Sequence, residues 1–129
     1  MKQLLSTIMA LLVCGSAFAV ELEQHEQTLI PPESRFEILQ STLAAKLTLK
    51  VDKITGVVSQ IVDTKEGGKT WQPIIKRPQQ LDKTEPGKVN YQVFTSGLAV
   101  KFTFLINVNT GATWQLIETD KGIEWDPLI

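Results

Sequence analysis

In the stretch KLTLKVD, residues 46–52, the apolar Leu47, Leu49 and Val51 alternate with Lys46, Thr48, Lys50 and Asp52. A period of two puts one set on each side of an extended chain and predicts a half-buried β-strand. Fifty-five positions further on, KFTFLIN repeats the pattern, with Phe102, Phe104 and Ile106 in the apolar places and Lys101 and Thr103 between them. Further along, Trp114 shares its alternation phase with Ala112 and Leu116, while Thr113 and Gln115 take the other. The tryptophan ring is therefore expected inside the core, where its large area is best buried.

The two strands belong to a longer correspondence. Set against Tyr91 to Ile117 without a gap, Phe36 to Val62 repeats Ser41, Leu43, Ala44, Lys46, Thr48, Thr55, Gly56 and Gln60 as Ser96, Leu98, Ala99, Lys101, Thr103, Thr110, Gly111 and Gln115. One deletion later, WQPI at 71–74 meets WDPL at 125–128. The order of strand, turn, strand and Trp-x-Pro ending predicts a duplicated unit, residues 35–75 and 90–129. Between them, the linker 76–89 is marked by Pro78 and Pro86-Gly87. A small sheet with one apolar face has nothing of its own to bury that face against. The expected fold is therefore all-β: two antiparallel β-meander units packed as one small barrel or sandwich, 35–129 forming a single domain. In that core Leu47, Leu49 and Val51 are expected to meet Phe102, Phe104 and Ile106.

Each unit carries the same turn, Asp52-Lys53-Ile54-Thr55-Gly56 and Asn107-Val108-Asn109-Thr110-Gly111. The opening side chain accepts hydrogen bonds from turn amides, and the closing glycine takes a left-handed conformation without the steric cost of a Cβ. Asp52, Gly56, Asn107 and Gly111 are thus read as structural turn residues. The pattern Asn107-x-x-Thr110-Gly111-x-x-Trp114 resembles the hairpin of small secreted bacterial proteins that carry Asp-x-x-Thr-Gly-x-x-Trp followed by a terminal Trp-x-Pro. More loosely, it is similar to the Asp-x-x-Thr-Gly turn of quinoprotein-type propeller blades. The first unit departs from it, with Ser59 in the place of Trp114. Neither resemblance implies an activity, and two units are too few for a propeller.

The first nineteen residues change the picture of where the chain works. Lys2, the apolar run from Leu4 to Cys14 and the small-x-small Ala17-Phe18-Ala19 read as a cleaved signal peptide. The run falls short of the roughly 20 apolar residues that span a bilayer. Cys14 as a lipid-attachment cysteine is a rival reading, disfavoured by the bulky Val13 before it. Residues 20–34 follow as a polar N-terminal arm. The expected location is periplasmic or secreted, without a membrane span. Cleavage would remove the one cysteine of the chain, and with it any disulfide or thiol chemistry. It would also remove one of the 13 basic residues and none of the 14 acidic ones. That near balance, without a cluster of either sign, speaks against a nucleic-acid partner.

Chemistry-bearing constellations are sparse. His25, the one histidine, falls in the arm, far in sequence from any ordered triad partner. The carboxylates Asp63 and Glu66, or Asp120, Glu124 and Asp126, lack the spacing of a known calcium loop. No catalytic, cofactor or metal residue is therefore assigned, and the chain is expected not to be an enzyme. Trp71 and Trp125, each followed two positions later by proline, are expected to close their repeats as edge strands or final turns, the proline favouring an edge, and are the candidate partner-binding residues. The expected function is that of an exported β-domain, a non-catalytic binding or structural module of the bacterial periplasm or envelope, whose partner is a protein or envelope component. The alternative is a soluble inhibitor or accessory subunit that acts on an enzyme through an exposed loop at 76–89.

Overall fold

The structure, a computed structural model, describes residues 30–42, 47–96 and 99–129. The expected signal peptide with Cys14, and the arm with His25 up to residue 29, lie outside the described residues. The chain runs β1 (Phe36–Gln40), β2 (Thr48–Asp52), β3 (Val58–Asp63), β4 (Lys69–Pro73), β5 (Ile75–Lys76), β6 (Tyr91–Phe94), a single 3-10 turn at Val100–Phe102, β7 (Phe104–Asn107), β8 (Thr113–Thr119) and β9 (Gly122–Leu128). The fold is all-β, in two sheets of which one curls into a half-barrel, and it fits a small sandwich or barrel.

The first sheet is the meander β1-β2-β3-β4. The second has the order β5-β9-β8-β7-β6, a meander of β6 to β9 with the short β5 added in parallel beside β9. Strand pairing is the same in both meanders, residue for residue. Phe36 opposes Asp52 as Tyr91 opposes Asn107; Leu49 opposes Gln60 as Phe104 opposes Gln115; Ile61 opposes Trp71 as Leu116 opposes Trp125. Even the bond from the Lys53 amide to the Arg35 carbonyl recurs, as Val108 to Asn90.

One apolar core spans both units: Leu47, Leu49, Val51, Val58 and Ile74 with Tyr91, Val93, Leu105, Ala112, Trp114, Leu116 and Trp125. The expected inward residues of β2 are all there. Those of β7 are not. Phe102 is 43 % exposed, Phe104 and Ile106 are half-buried, and Thr103, Leu105 and Asn107 are the buried residues of that stretch. The reason lies in cross-strand company. Leu105 stands opposite Val93 and Trp114, whereas Phe104 stands opposite Phe94 and Gln115, and Ile106 opposite Gln92 and Thr113. A strand apolar on both sides takes the orientation that its neighbours' larger apolar area selects.

The two units consequently bury opposite faces. Let the front of each sheet be the side of Phe36, Ile38, Lys50, Ile61 and Trp71 in the first and of their equivalents Tyr91, Val93, Leu105, Leu116 and Trp125 in the second. The first sheet turns its back to the core, through Leu49, Val51 and Val58, and the second turns its front. The back of one unit thus packs on the front of the next.

Candidate functional site

The repeated turns are the best-defined local structures. Asp52 Oδ1 accepts the amides of Ile54 at 3.1 Å and Thr55 at 3.3 Å, and Asn107 Oδ1 accepts those of Asn109 at 3.0 Å and Thr110 at 3.2 Å. Gly56 and Gly111 close the loops at φ 77° and 78°, and each donates its amide at 2.8 Å to the carbonyl that opened the turn. Burial alone would raise the pKa of Asp52, but the Arg35 guanidinium at 2.8 Å and the turn amides outweigh it and hold the carboxyl below its ordinary range. These side chains are committed to holding the hairpins.

Segment 76–89 is a strap rather than a free loop. Lys76 Nζ lies 4.5 Å and 4.7 Å from the ring centres of Tyr91 and Trp114 and bonds Asp82 Oδ2 at 2.6 Å. Asp82 Oδ1 accepts the Tyr91 hydroxyl at 2.5 Å and Asn107 Nδ2 at 3.2 Å. The Trp114 indole N–H donates to the Arg77 carbonyl at 2.8 Å. The Arg77 guanidinium reaches Asp126 at 2.8 Å and also pairs with Glu124, and Gln79 donates to the Leu128 carbonyl at 2.7 Å. Asn90 then gathers the end of the strap, donating to the carbonyls of Ile54, Glu85 and Lys88. Burial pushes the Asp82 carboxyl up, but hydrogen bonds from Lys76, Tyr91 and Asn107 prevail and lower its pKa. Burial and the adjacent Asp82 raise that of Tyr91 far above the ordinary phenol range. Lys, Asp, Tyr and Asn converge here as they would in an active site, yet their polar atoms face one another. Among the described residues no group of three or more histidine, cysteine or carboxylate side chains could hold a metal; Glu124 and Asp126 are taken by Arg77, and Asp63 is paired with Lys69.

The two candidate tryptophans part company. Trp125 is fully buried. It lies on the core-facing side of β9, and β9 is not an edge, because Lys76 of β5 pairs beside that very residue. It offers no surface to a partner, which corrects its assignment as a partner-binding residue. Trp71 sits on β4, a true edge of the first sheet, and is half-buried, with Lys50 Nζ 5.0 Å above its ring. On the same face Phe36 is 53 % and Ile38 59 % exposed. The Arg35 guanidinium lies 4.9 Å over the Phe36 ring, so an apolar surface is bordered by cations. Sequence reasoning missed Phe36 and Ile38, although both stand in FEILQ at alternate positions. Their equivalents Tyr91 and Val93 are core, and duplication alone does not say which copy is covered.

Comparison of the chain with protein-family models, with curated proteins and with solved structures returned no match.

Proposed function

We propose that the chain is a small exported β-domain that serves as a non-catalytic binding or structural module of the bacterial periplasm or envelope, and that it works through the front face of its first sheet. Its partner is a protein or another envelope component. The observation that supports this is the exposure of Phe36 and Ile38 on β1, on the same face as Trp71 on β4, a face whose counterpart in the second sheet is core. Exposed apolar area among polar groups marks interaction surfaces. Export rests on Lys2, the apolar run and Ala17-Phe18-Ala19. Among the described residues no helix is long and apolar enough to cross a membrane.

The test is a photo-crosslinking residue placed at Ile38 in the chain expressed with its leader, with the β3 to β4 turn residue Lys65 as control. The expected result is a discrete adduct from position 38 in the periplasmic or envelope fraction and none from position 65. Equal labelling at both positions, or a chain retained in the cytoplasm, would overturn the reading.

A further inference from the structure

The two units of one chain share one core, in which the back of the first and the strap 76–89 together cover the front of the second. That packing leaves two faces without their counterpart, the front of the first unit and the back of the second. The front of the first presents Phe36, Ile38, Ile61 and Trp71. The back of the second presents Phe94, 59 % exposed, with the half-buried Phe104 and Ile106, and Phe102, 43 % exposed, follows in the adjoining 3-10 turn.

Each of these is the positional equivalent of a residue that the internal interface uses. Phe94, Phe102, Phe104 and Ile106 correspond to Leu39, Leu47, Leu49 and Val51, of which the last three are core and Leu39 packs against it. Phe36, Ile38, Ile61 and Trp71 correspond to Tyr91, Val93, Leu116 and Trp125, all of them core. On β1, β3 and β4 of the front, and on β6 and β7 of the back, apolar residues thus stand where surface positions do not need them, with Lys50 and Ser59 on the front where the second unit has Leu105 and Trp114. The aromatic enrichment of the back face is that of an interface rather than of a solvated sheet. Beside Phe104, a hollow of about 300 Å³ takes in Gln115 and Ile117 of the same face together with Lys101, Leu116, Glu118 and Ile123.

We infer that a second copy of this chain occupies the front face: the back of unit two in one molecule packs on the front of unit one in the next, continuing between molecules the stacking that the chain already makes within itself. Such a contact is heterologous. Because the two patches differ and lie on opposite sides of the molecule, addition at one end leaves the same face open at the other, and the assembly grows head to tail until it closes or terminates. The inference rests on the reading of the front face as a binding surface and names the partner. It would make the protein a structural module, a string of β-units longer than one gene product.

The experiment uses the purified mature chain and needs no envelope, so it fails independently of the crosslinking above. Sedimentation of the wild type over a concentration series is expected to show mass rising beyond the monomer. Ile38→Glu disables the front and Phe94→Glu the back; both positions are more than half exposed, so each variant should remain folded, with an unchanged circular dichroism spectrum, and stay monomeric alone. Mixed in equal amounts, the two variants keep one good front and one good back between them. They should form a heterodimer of twice the monomer mass and nothing larger. A wild type that stays monomeric at its solubility limit overturns the inference, as does a mixture that does not pair. Monomeric wild type together with envelope adducts at position 38 would mean that another molecule fills this face.

Discussion

The ring of Tyr91, in the second unit, lies against the tip of the first hairpin so closely that a Cβ on Gly56 would meet its Cδ2, Cε2 and Cζ at 2.8 to 2.9 Å. The equivalent Gly111 has nothing within 4 Å of such an atom. Two glycines with the same φ thus carry different loads, one serving the backbone alone and the other also making room for an aromatic core residue.

Alanine substitution should separate those loads. Gly111→Ala meets only the strain of a left-handed non-glycine residue and should cost about 1 kcal/mol. Gly56→Ala adds displacement of the Tyr91 ring and should cost roughly 2 to 4 kcal/mol. Urea denaturation of both variants checks this, and equal losses would show that the ring gives way freely.

Core substitution should follow the observed orientation of β7. Leu105→Ala removes a fully buried side chain and should cost about 2 to 5 kcal/mol, in one transition reported alike by fluorescence and circular dichroism because the core is shared. Phe104→Ala should cost less, since that ring is only half-buried. The reverse order would place Phe104 inside.

The contrast shows what the sequence makes legible. Strand positions, the antiparallel meander and both hairpin turns follow from local rules: alternation for β2 and β8, and the Asx-to-glycine spacing for the turns. The inward side of KFTFLIN does not, because Phe104 and Leu105 are equally apolar and the choice between them is made by Val93 and Trp114 on neighbouring strands. The strap was equally hidden. Its proline-marked composition reads as a linker, while the bond between Lys76 and Asp82 and the seat of Lys76 over two rings depend on residues 15 and 38 positions away in Tyr91 and Trp114. Of the candidate site, the edge position of Trp71 follows from its Trp-x-Pro context, and the same context misleads for Trp125, beside which β5 pairs.

The strap and the first hairpin turn should couple stability to pH, the strap at both ends of the scale. Asp82 and Asp52 have folded pKa values below the ordinary 3.8, so their contribution is present above that value and is lost as pH falls through the lower folded values. Tyr91 binds its proton more tightly folded than unfolded, so its contribution is complete below pH 10.0 and declines as pH rises above it. Tyr91 is the one tyrosine of the chain, so phenolate absorbance reports it alone. The expected alkaline titration coincides with unfolding seen by circular dichroism; a separate phenolate transition near pH 10 in folded protein would contradict the Asp82 bond.

Asp82→Asn should weaken the strap by about 1 to 3 kcal/mol, the cost of leaving a charged group short of its partner. In a double-mutant cycle, Lys76→Met should remove most of that cost, because the stranded ammonium is then gone. Additive losses would mean that Lys76 and Asp82 act separately.

The parallel seam between β5 and β9 has a consequence in time. When the chain is delivered from its N-terminus, the whole first meander and the strap emerge before the strand on which β5 must lie. Antiparallel hairpins can zip as they appear, but this seam joins Ile75 to Glu124 and must wait for β9, and contacts of such separation are the slow ones. Until then Trp125 is missing from the core that Leu49 and Val51 share, and Arg77 of the strap has neither Glu124 nor Asp126 to pair with. β9 is thus the latch of the molecule, and the chain still lacking it is the form most exposed to aggregation.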